Sequence, residues 1–295
     1  MKISVVGSIN MDMTVKAERI PLKGETLKGD DLQYIPGGKG ANQAVAMARL
    51  GADIEMFGCV GDDEAGRKLV DNLKNEGVKT EHIQVVPGVP TGLAMITIGD
   101  NDNTIIVVAG ANNNVDKAYV DSILEELMKS EIVVLQHEIP QETVEYVIEK
   151  CSEANVKVVL NPAPARPVKK EILDKVTYLT PNEHEAVILF GNELDTEELL
   201  KRHPGKLVIT QGSRGVSTCL ESGEVLTVPA RKANVADTTG AGDTLNGAFA
   251  VQIAEGAEIQ DALKFANVAA SLSTEKFGAQ GGMPTLAEVK AELGR

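Results

Sequence analysis

Short apolar, β-branched runs recur along the chain with helical patterns between them, and that alternation leaves few folds open. The runs fall at residues 3–6, 132–135, 156–160, 176–179 and 207–210. Between them, residues 41–50, 64–76, 117–129, 142–153 and 183–189 space their apolar positions for helices lying on a sheet. The expected architecture is a three-layer α/β/α sandwich with a buried parallel sheet. At 295 residues and 43% hydrophobic content, the chain is long enough to build that core. Ligands in such sheets bind beyond the carboxyl ends of the strands, so the loops after each strand are where chemistry is sought.

Two regions break the alternation, at about 13–34 and 92–108. In the second, residues 93–98 and 104–108 flank Gly99-Asp100-Asn101-Asp102-Asn103, a set of turn residues that marks a hairpin. Together the two regions suit a small β layer, either a lid over a substrate or an edge hairpin with no gating role. From residue 241 onward the pattern is mostly helical, through 286–293. The expectation is one α/β domain over residues 1–295, carrying the small β layer.

The run Asp237-Thr238-Thr239-Gly240-Ala241-Gly242-Asp243 sets three small residues before a lone carboxylate, where a helix is expected to start. The N–H groups of Gly240, Ala241, Gly242 and Asp243 can point at one anion from a helix N-terminus, where the dipole adds positive potential. Asp243 can then take a proton from an attacking hydroxyl. That combination describes a phosphoryl-transfer site. An ordinary glycine turn has the same composition, so the weight falls on the rest of the chain.

A second glycine cluster, Pro36-Gly37-Gly38-Lys39-Gly40-Ala41-Asn42-Gln43, also leads into a helix. It is not a Walker loop, because Lys39 precedes Gly40 rather than Ser or Thr, and it lacks a dinucleotide fingerprint. What remains is a polyhydroxyl site, with Gly38 and Lys39 backbone groups and the Asn42 amide meeting sugar hydroxyls. Asn10 and Asp12 alternate after the first strand, so both can point to one face, and Asp12 can accept from two adjacent hydroxyls. Glu138 follows the strand at 132–135, while Asn182 and Glu185 follow the one at 176–179. Such groups can hold Mg²⁺ through waters, and Asn182 also suits a helix N-cap. His137-Glu138 and His184-Glu185 are not zinc-protease motifs, since Gln141 and Ile188 stand four residues after each His. Thr210-Gln211-Gly212-Ser213-Arg214-Gly215 follows another strand and can wrap a nucleotide.

Charge narrows the partners. A formal net charge of −14, with no basic patch, argues against nucleic acid or an anionic membrane. ATP is an anion too, so its attraction must come from local N–H groups, Mg²⁺ and a few side chains. Cys59, Cys151 and Cys219 are too scattered for a disulfide framework or a zinc knuckle and read as buried thiols. The apolar run at residues 1–7 is too short for a signal peptide, and no stretch of roughly eighteen apolar residues exists. A cytoplasmic protein is the expectation.

Taken together, Asn10 and Asp12, residues 37–43, 182–185, 212–215 and 237–243 resemble the ribokinase family, the PfkB carbohydrate kinases, from residue 2 to about 284. Within the family the likeness is greatest to the ribose kinases, through residues 38–44, Gly110-Ala111-Asn112, residues 161–165 and Gly278-Ala279-Gln280. The resemblance implies ATP-dependent phosphorylation of D-ribose at O5, with deoxyribose, a nucleoside or another sugar as the alternative acceptor. It implies a β lid that also joins two subunits as a homodimer. By the same likeness ribose is held by Asn10, Asp12, Gly38, Lys39, Asn42 and Glu138. ATP meets Asn182, residues 210–215, Gly242 and Asn267, and Asp243 is the general base above an anion hole of Gly240, Ala241 and Gly242. A potassium site is implied at Asp237, Thr239, Ser273, Lys276, Gly278 and Gly282, the last standing where the family often has Ser.

Overall fold

The computed structural model describes residues 2–100 and 102–294. Each of the five expected apolar runs is a strand: β1 (Lys2–Val6), β8 (Ile132–Gln136), β9 (Lys157–Asn161), β10 (Tyr178–Leu179) and β11 (Val208–Thr210). Two further strands, β4 (Asp53–Gly61) and β5 (Ile83–Val86), complete a six-stranded parallel sheet in the order β10-β9-β8-β1-β4-β5. Parallel bridges from Leu179 to Leu207 and from Asn182 to Thr210 continue it into a small antiparallel sheet of β11, β12 (Val216–Cys219) and β13 (Val225–Val228).

Alternate strand residues feed two separate cores, which is why the runs are mostly apolar rather than alternating apolar and polar. Ile3, Val5, Ile54, Met56, Ile132 and Val134 bury against one helical layer. That layer comprises α1 (Lys39–Arg49), α2 (Glu64–Asn75), α8 (Ala241–Ala254), α9 (Ile259–Ser273), α10 (Ala279–Gly282) and α11 (Leu286–Leu293). Val6, Phe57, Val133 and Leu135 bury on the opposite face. There the cover is α3 (Lys117–Leu127), α4 (Gln141–Ala154), α5 (Lys170–Leu173), α6 (Glu183–Phe190) and α7 (Thr196–Lys201). The helix α8 is buried from Asp243 to Val251 and packs beside α9, with its first residues, Ala241 and Gly242, reaching the surface.

The regions that broke the alternation form a separate four-stranded sheet in the order β3-β2-β6-β7. Its strands are β2 (Asn10–Lys16), β3 (Asp31–Gly37), β6 (Gly92–Gly99) and β7 (Asp102–Val108). β2 runs parallel to β6, and the other pairs are antiparallel. This sheet starts three residues earlier than the sequence pattern suggested, so Asn10 and Asp12 lie on a lid strand itself. Of the turn expected at 99–103, Asp100 adopts φ 56, and Asn101 lies outside the described residues.

Candidate active site

The site is assembled where α1 meets the carboxyl end of β1. Ala41 N–H donates to the Ser8 carbonyl at 2.9 Å, and the Gly40 N–H donates to the Ser8 hydroxyl at 3.3 Å. A Cβ on Gly40 would sit 2.7–2.8 Å from the backbone of Gly7 and Ser8, so only glycine lets the helix come this close. Glu138, two residues beyond β8, accepts from the Ser8 hydroxyl and from the Lys39 N–H at 2.9 Å. One carboxylate thus ties together two strand ends and the first turn of α1.

Across the cleft α8 begins at Gly240, which takes φ 77 as N-cap. No side chain caps this helix, but the Ala241 N–H, expected in the anion hole, donates to the Thr238 carbonyl at 3.2 Å as the turn closes, so the N–H groups of Gly242 and Asp243 are the ones left for a ligand. Behind them Asn246 donates to the Gly242 carbonyl at 2.9 Å and accepts from the Thr180 hydroxyl, which holds the turn in shape. Asp243 is 6% exposed, and each of its carboxylate oxygens has an amide partner. Asn42 Nδ2 donates to Oδ2 at 3.0 Å, and Gln43 Nε2 donates to Oδ1 at 3.0 Å. Those amides are fixed in turn: Gln280 donates to Asn42 Oδ1 at 3.1 Å, and Gln136 donates to Gln43 Oε1 at 2.7 Å.

Charge is concentrated here. Lys39 is held above its ordinary range, chiefly by the Asp243 carboxylate and further by Glu138 and Glu185, against the opposing effect of burial. Asp12 is pushed up to about 7, first by burial and then by the charges of Glu138 and Asp243. Burial also lifts Glu185, and Asp243 adds to the lift. Several carboxylates and one ammonium therefore share one cleft, with room of about 140 Å³ bordered by Lys39, Glu185, Thr210, Gly242 and Asp243.

The sequence profile of the pfkB family carbohydrate kinases matches residues 1–286. The chain belongs to this family. It is 51% identical to a ribokinase of Bacillus subtilis over 291 residues, covering 99% of both chains. It is 49% identical to a ribokinase of Lactococcus lactis, covering 99% of this chain and 97% of that one. The solved structure of Arabidopsis thaliana ribokinase complexed with ribose and ATP is similar at a TM-score of 0.90 and 34% identity, over 99% of this chain and 98% of that chain.

Within the pfkB frame the remaining candidate residues fall into three groups. On the lid side, Asn10 Oδ1 accepts from Asn112 Nδ2 at 2.7 Å, while Asn112 Oδ1 accepts from the Ile9 N–H at 2.9 Å. Asn42 faces Asp243 and Gln280, so both ends of its amide are already engaged.

On the nucleotide side, Asn182 caps α6 in a reciprocal box with Glu185. Thr210 pairs with Asn182, and residues 212–214 make one tight turn. Ser213 is exposed on that turn, Gln211 accepts from Ser217 at 2.6 Å, and Arg214 is ion-paired with Glu183. Asn267 is buried and donates to the carbonyls of Val228 and Pro229 at 3.1 and 2.7 Å. It braces the end of β13.

The third group lies beside the start of α8. Asp237 accepts from the Thr239 N–H at 2.9 Å, the Thr239 hydroxyl at 2.6 Å and the Gly278 N–H at 2.9 Å. Burial works against the charged form, but these donors outweigh it and hold the carboxyl below its usual range. A Cβ on Gly282 would lie 2.1 Å from the Ser273 carbonyl oxygen and 3.4 Å from that of Lys276. Carbonyl oxygens thus crowd the position where the family often has Ser. The Lys276 side chain turns away to Glu288 at 3.3 Å, leaving its carbonyl on this side. A set of carbonyls and one carboxylate is chemically suited to a monovalent cation. Among the described residues no cluster of three or more His, Cys, Asp or Glu forms a metal cage.

Sequence reasoning passed over Gln43, Gln280 and Asn112 as working parts. The signal was present for Gln43: it stands beside Asn42 in the otherwise small and apolar run Ala41 to Ala48, and it is fully buried.

Proposed function

We propose that the protein transfers the γ-phosphoryl group of ATP to O5 of D-ribose, releasing ADP and ribose 5-phosphate. The observation that carries this reading is Asp243, a buried carboxylate at the uncapped start of α8, gripped by two amides and opening on the cleft. Full-length similarity to relatives named ribokinase supports the choice of sugar.

In this reading Asn10, Asp12, Gly38, Lys39, Asn42 and Glu138 hold ribose with its primary hydroxyl toward Asp243. The nucleotide lies along Asn182, residues 210–215, Gly242 and Asn267. Asp243 takes the O5 proton as O5 bonds to the γ-phosphorus and the bond to the ADP oxygen breaks. The N–H groups of Gly242 and Asp243, with that of Gly240 beside them, meet the charge that gathers on the transferring oxygens, where preorganised donors act most strongly, while the Ala241 N–H holds the turn through the Thr238 carbonyl. Lys39 sits close enough to Asp243, Glu138 and Glu185 to balance part of the carboxylate charge when substrates enter.

Glu185 is suited to hold Mg²⁺ through water, and that ion would neutralise phosphate charge. Asp237, Thr239, Ser273, Lys276, Gly278 and Gly282 are the residues for potassium, whose field would reach the anion hole through the shared loop. The chain acts as one cytoplasmic α/β domain, with the four-stranded sheet as lid. That lid has an outer face suited to a second copy: on the side opposite Asp12, Tyr34, Met95, Ile106 and Val108 are 62%, 43%, 66% and 47% exposed.

The test is ADP release with Mg·ATP over ribose, deoxyribose, fructose, adenosine and no sugar, each in potassium or in sodium alone. Ribose is expected to stand out and potassium to raise its rate. A higher specificity constant for deoxyribose or adenosine would overturn the choice of acceptor, and no turnover of any sugar would overturn the kinase reading.

A further inference from the structure

A second cavity, of about 480 Å³, opens at the carboxyl end of α6. Its walls are apolar, with Leu173, Leu179, Leu189, Phe190 and Leu207 among them. Its polar groups are mostly cationic. Arg202 makes no ion pair or side-chain hydrogen bond among the described residues. His203 meets only the Phe190 ring, at 5.0 Å between centroids. Lys206 gives its ammonium to the Leu173 carbonyl rather than to a carboxylate, and burial pulls it below its ordinary range. The one carboxylate in the lining, Asp174, is bound to Lys170 at 3.0 Å and also favours the charged forms of Lys206 and His203, so one carboxylate faces Lys170, Arg202 and Lys206.

An excess of positive charge beside an apolar hollow, three Lys or Arg against one Asp, is unusual in a chain whose net charge is −14. A half-buried ammonium and a free guanidinium gain most from an anionic partner, and the hollow gains most from a hydrocarbon body. The volume lies in the usual range for small-molecule sites, roughly 300–1,000 Å³. We propose that this cavity binds a small amphiphilic anion: a carboxylate or phosphate-monoester head held by Arg202 and Lys206, with an apolar tail against Leu189, Phe190 and Leu207.

The cavity is separate from the catalytic cleft yet touches the same elements. Leu179 and Leu207 pair with each other at its floor and lead directly toward Thr180 and Thr210 of the cleft. α6, roughly 12 Å long, carries Asn182 and Glu185 at its other end.

The test is calorimetric titration of the intact protein with octanoate, octyl phosphate, octanol and inorganic phosphate. Octanoate or octyl phosphate is expected to bind below about 1 mM, and octanol and inorganic phosphate at least about ten-fold more weakly. Whichever head group binds more tightly identifies the source. Arg202→Gln, on an exposed side chain, and Lys206→Met are each expected to weaken the tighter probe by about ten-fold, with basal turnover unchanged. Equal binding of octanol would make this a merely apolar hollow, and equal binding of inorganic phosphate a merely charged surface. Either result, no binding of any probe, or unchanged affinity in both variants would overturn the proposal.

Discussion

Gln43 donates to Asp243 Oδ1 at 3.0 Å from a side chain that is itself fully buried, and its own carbonyl oxygen accepts from Gln136 at 2.7 Å. Asn42, the preceding residue, takes the other carboxylate oxygen. Two neighbouring residues of α1 therefore set the rotation of the group proposed as general base, and α1 is docked by Glu138 and Ser8 on the sugar side. In the proposed reaction, one helix turn would couple sugar binding to the orientation of the base.

Asp243→Asn is expected to leave folding and ATP binding close to normal while lowering kcat by about 10²–10⁴-fold, the usual worth of general base catalysis. Gln43→Leu should lower kcat by a smaller factor, about ten-fold or more, with the KM values for ribose and ATP within about three-fold, because the carboxylate loses one of two restraints. Steady-state kinetics and thermal melts of both variants check this. A near-normal kcat in Asp243→Asn would remove that residue from the base role.

The pH dependence follows from Asp12. Its folded pKa, about 7, is above the ordinary 3.8, so the folded protein holds this proton over a window where the unfolded chain has lost it. Stability from this group is greatest below pH 4 and falls as pH rises toward 7, above which the penalty is constant. Asp12→Asn is therefore expected to raise the melting midpoint at pH 8 by a few degrees and to change it little at pH 4. The ribose KM of the parent should rise as pH falls below 7, since a protonated carboxyl accepts fewer sugar hydroxyls, and the variant should lose that slope. Calorimetry and KM profiles from pH 5 to 9 decide it.

The parallel core and the chemical loops were legible because buried parallel strands read as short, mostly apolar and β-branched runs and because glycine runs mark close backbone approach. β4 was not legible. Its sequence, Asp53 to Gly61, carries Glu55 and Gly58 inside, which breaks the apolar run. Only the fold explains them: Glu55 is buried but paired with Lys2 at 2.6 Å and with His82, and a Cβ on Gly58 would lie 2.9 Å from the Gly7 carbonyl oxygen. The same limit applied to the site. Glycine runs leading into helices singled out Asp243 and Lys39, and a strand end singled out Glu138. That Asn42 turns to Asp243, or that Asn267 braces β13, depends on partners more than 30 residues away.

Gly40→Ala tests the docking of α1. The added methyl would meet the backbone of Gly7 and Ser8 at 2.7–2.8 Å, where neither side can yield like a flexible side chain. The expected cost is about 1–3 kcal/mol of stability, as for other overpacked sites. A shift of α1 also displaces Lys39, Asn42 and Gln43 together, so ribose KM should rise and kcat should fall in the same variant. Denaturant unfolding with parallel kinetics measures both, and unchanged stability would mean that α1 stands further from β1 in solution.

The outer lid face gives the last prediction. On the face opposite Asp12, Ile106 and Val108 of β7 are 66% and 47% exposed, and Leu32, Tyr34 and Met95 on the same face are exposed at 51%, 62% and 43%. A single copy leaves that surface in water, whereas a second copy would remove it at about 25 cal/mol per Å² of apolar area. Charge is disfavoured at the centre of such an interface. Ile106→Lys is therefore expected to convert a dimer to a monomer at micromolar concentration with little change in the thermal midpoint of the isolated subunit, since Ile106 is 66% exposed there. Sedimentation velocity of parent and variant over a hundred-fold concentration range makes the comparison, and a monomeric parent would refute the lid as a subunit interface.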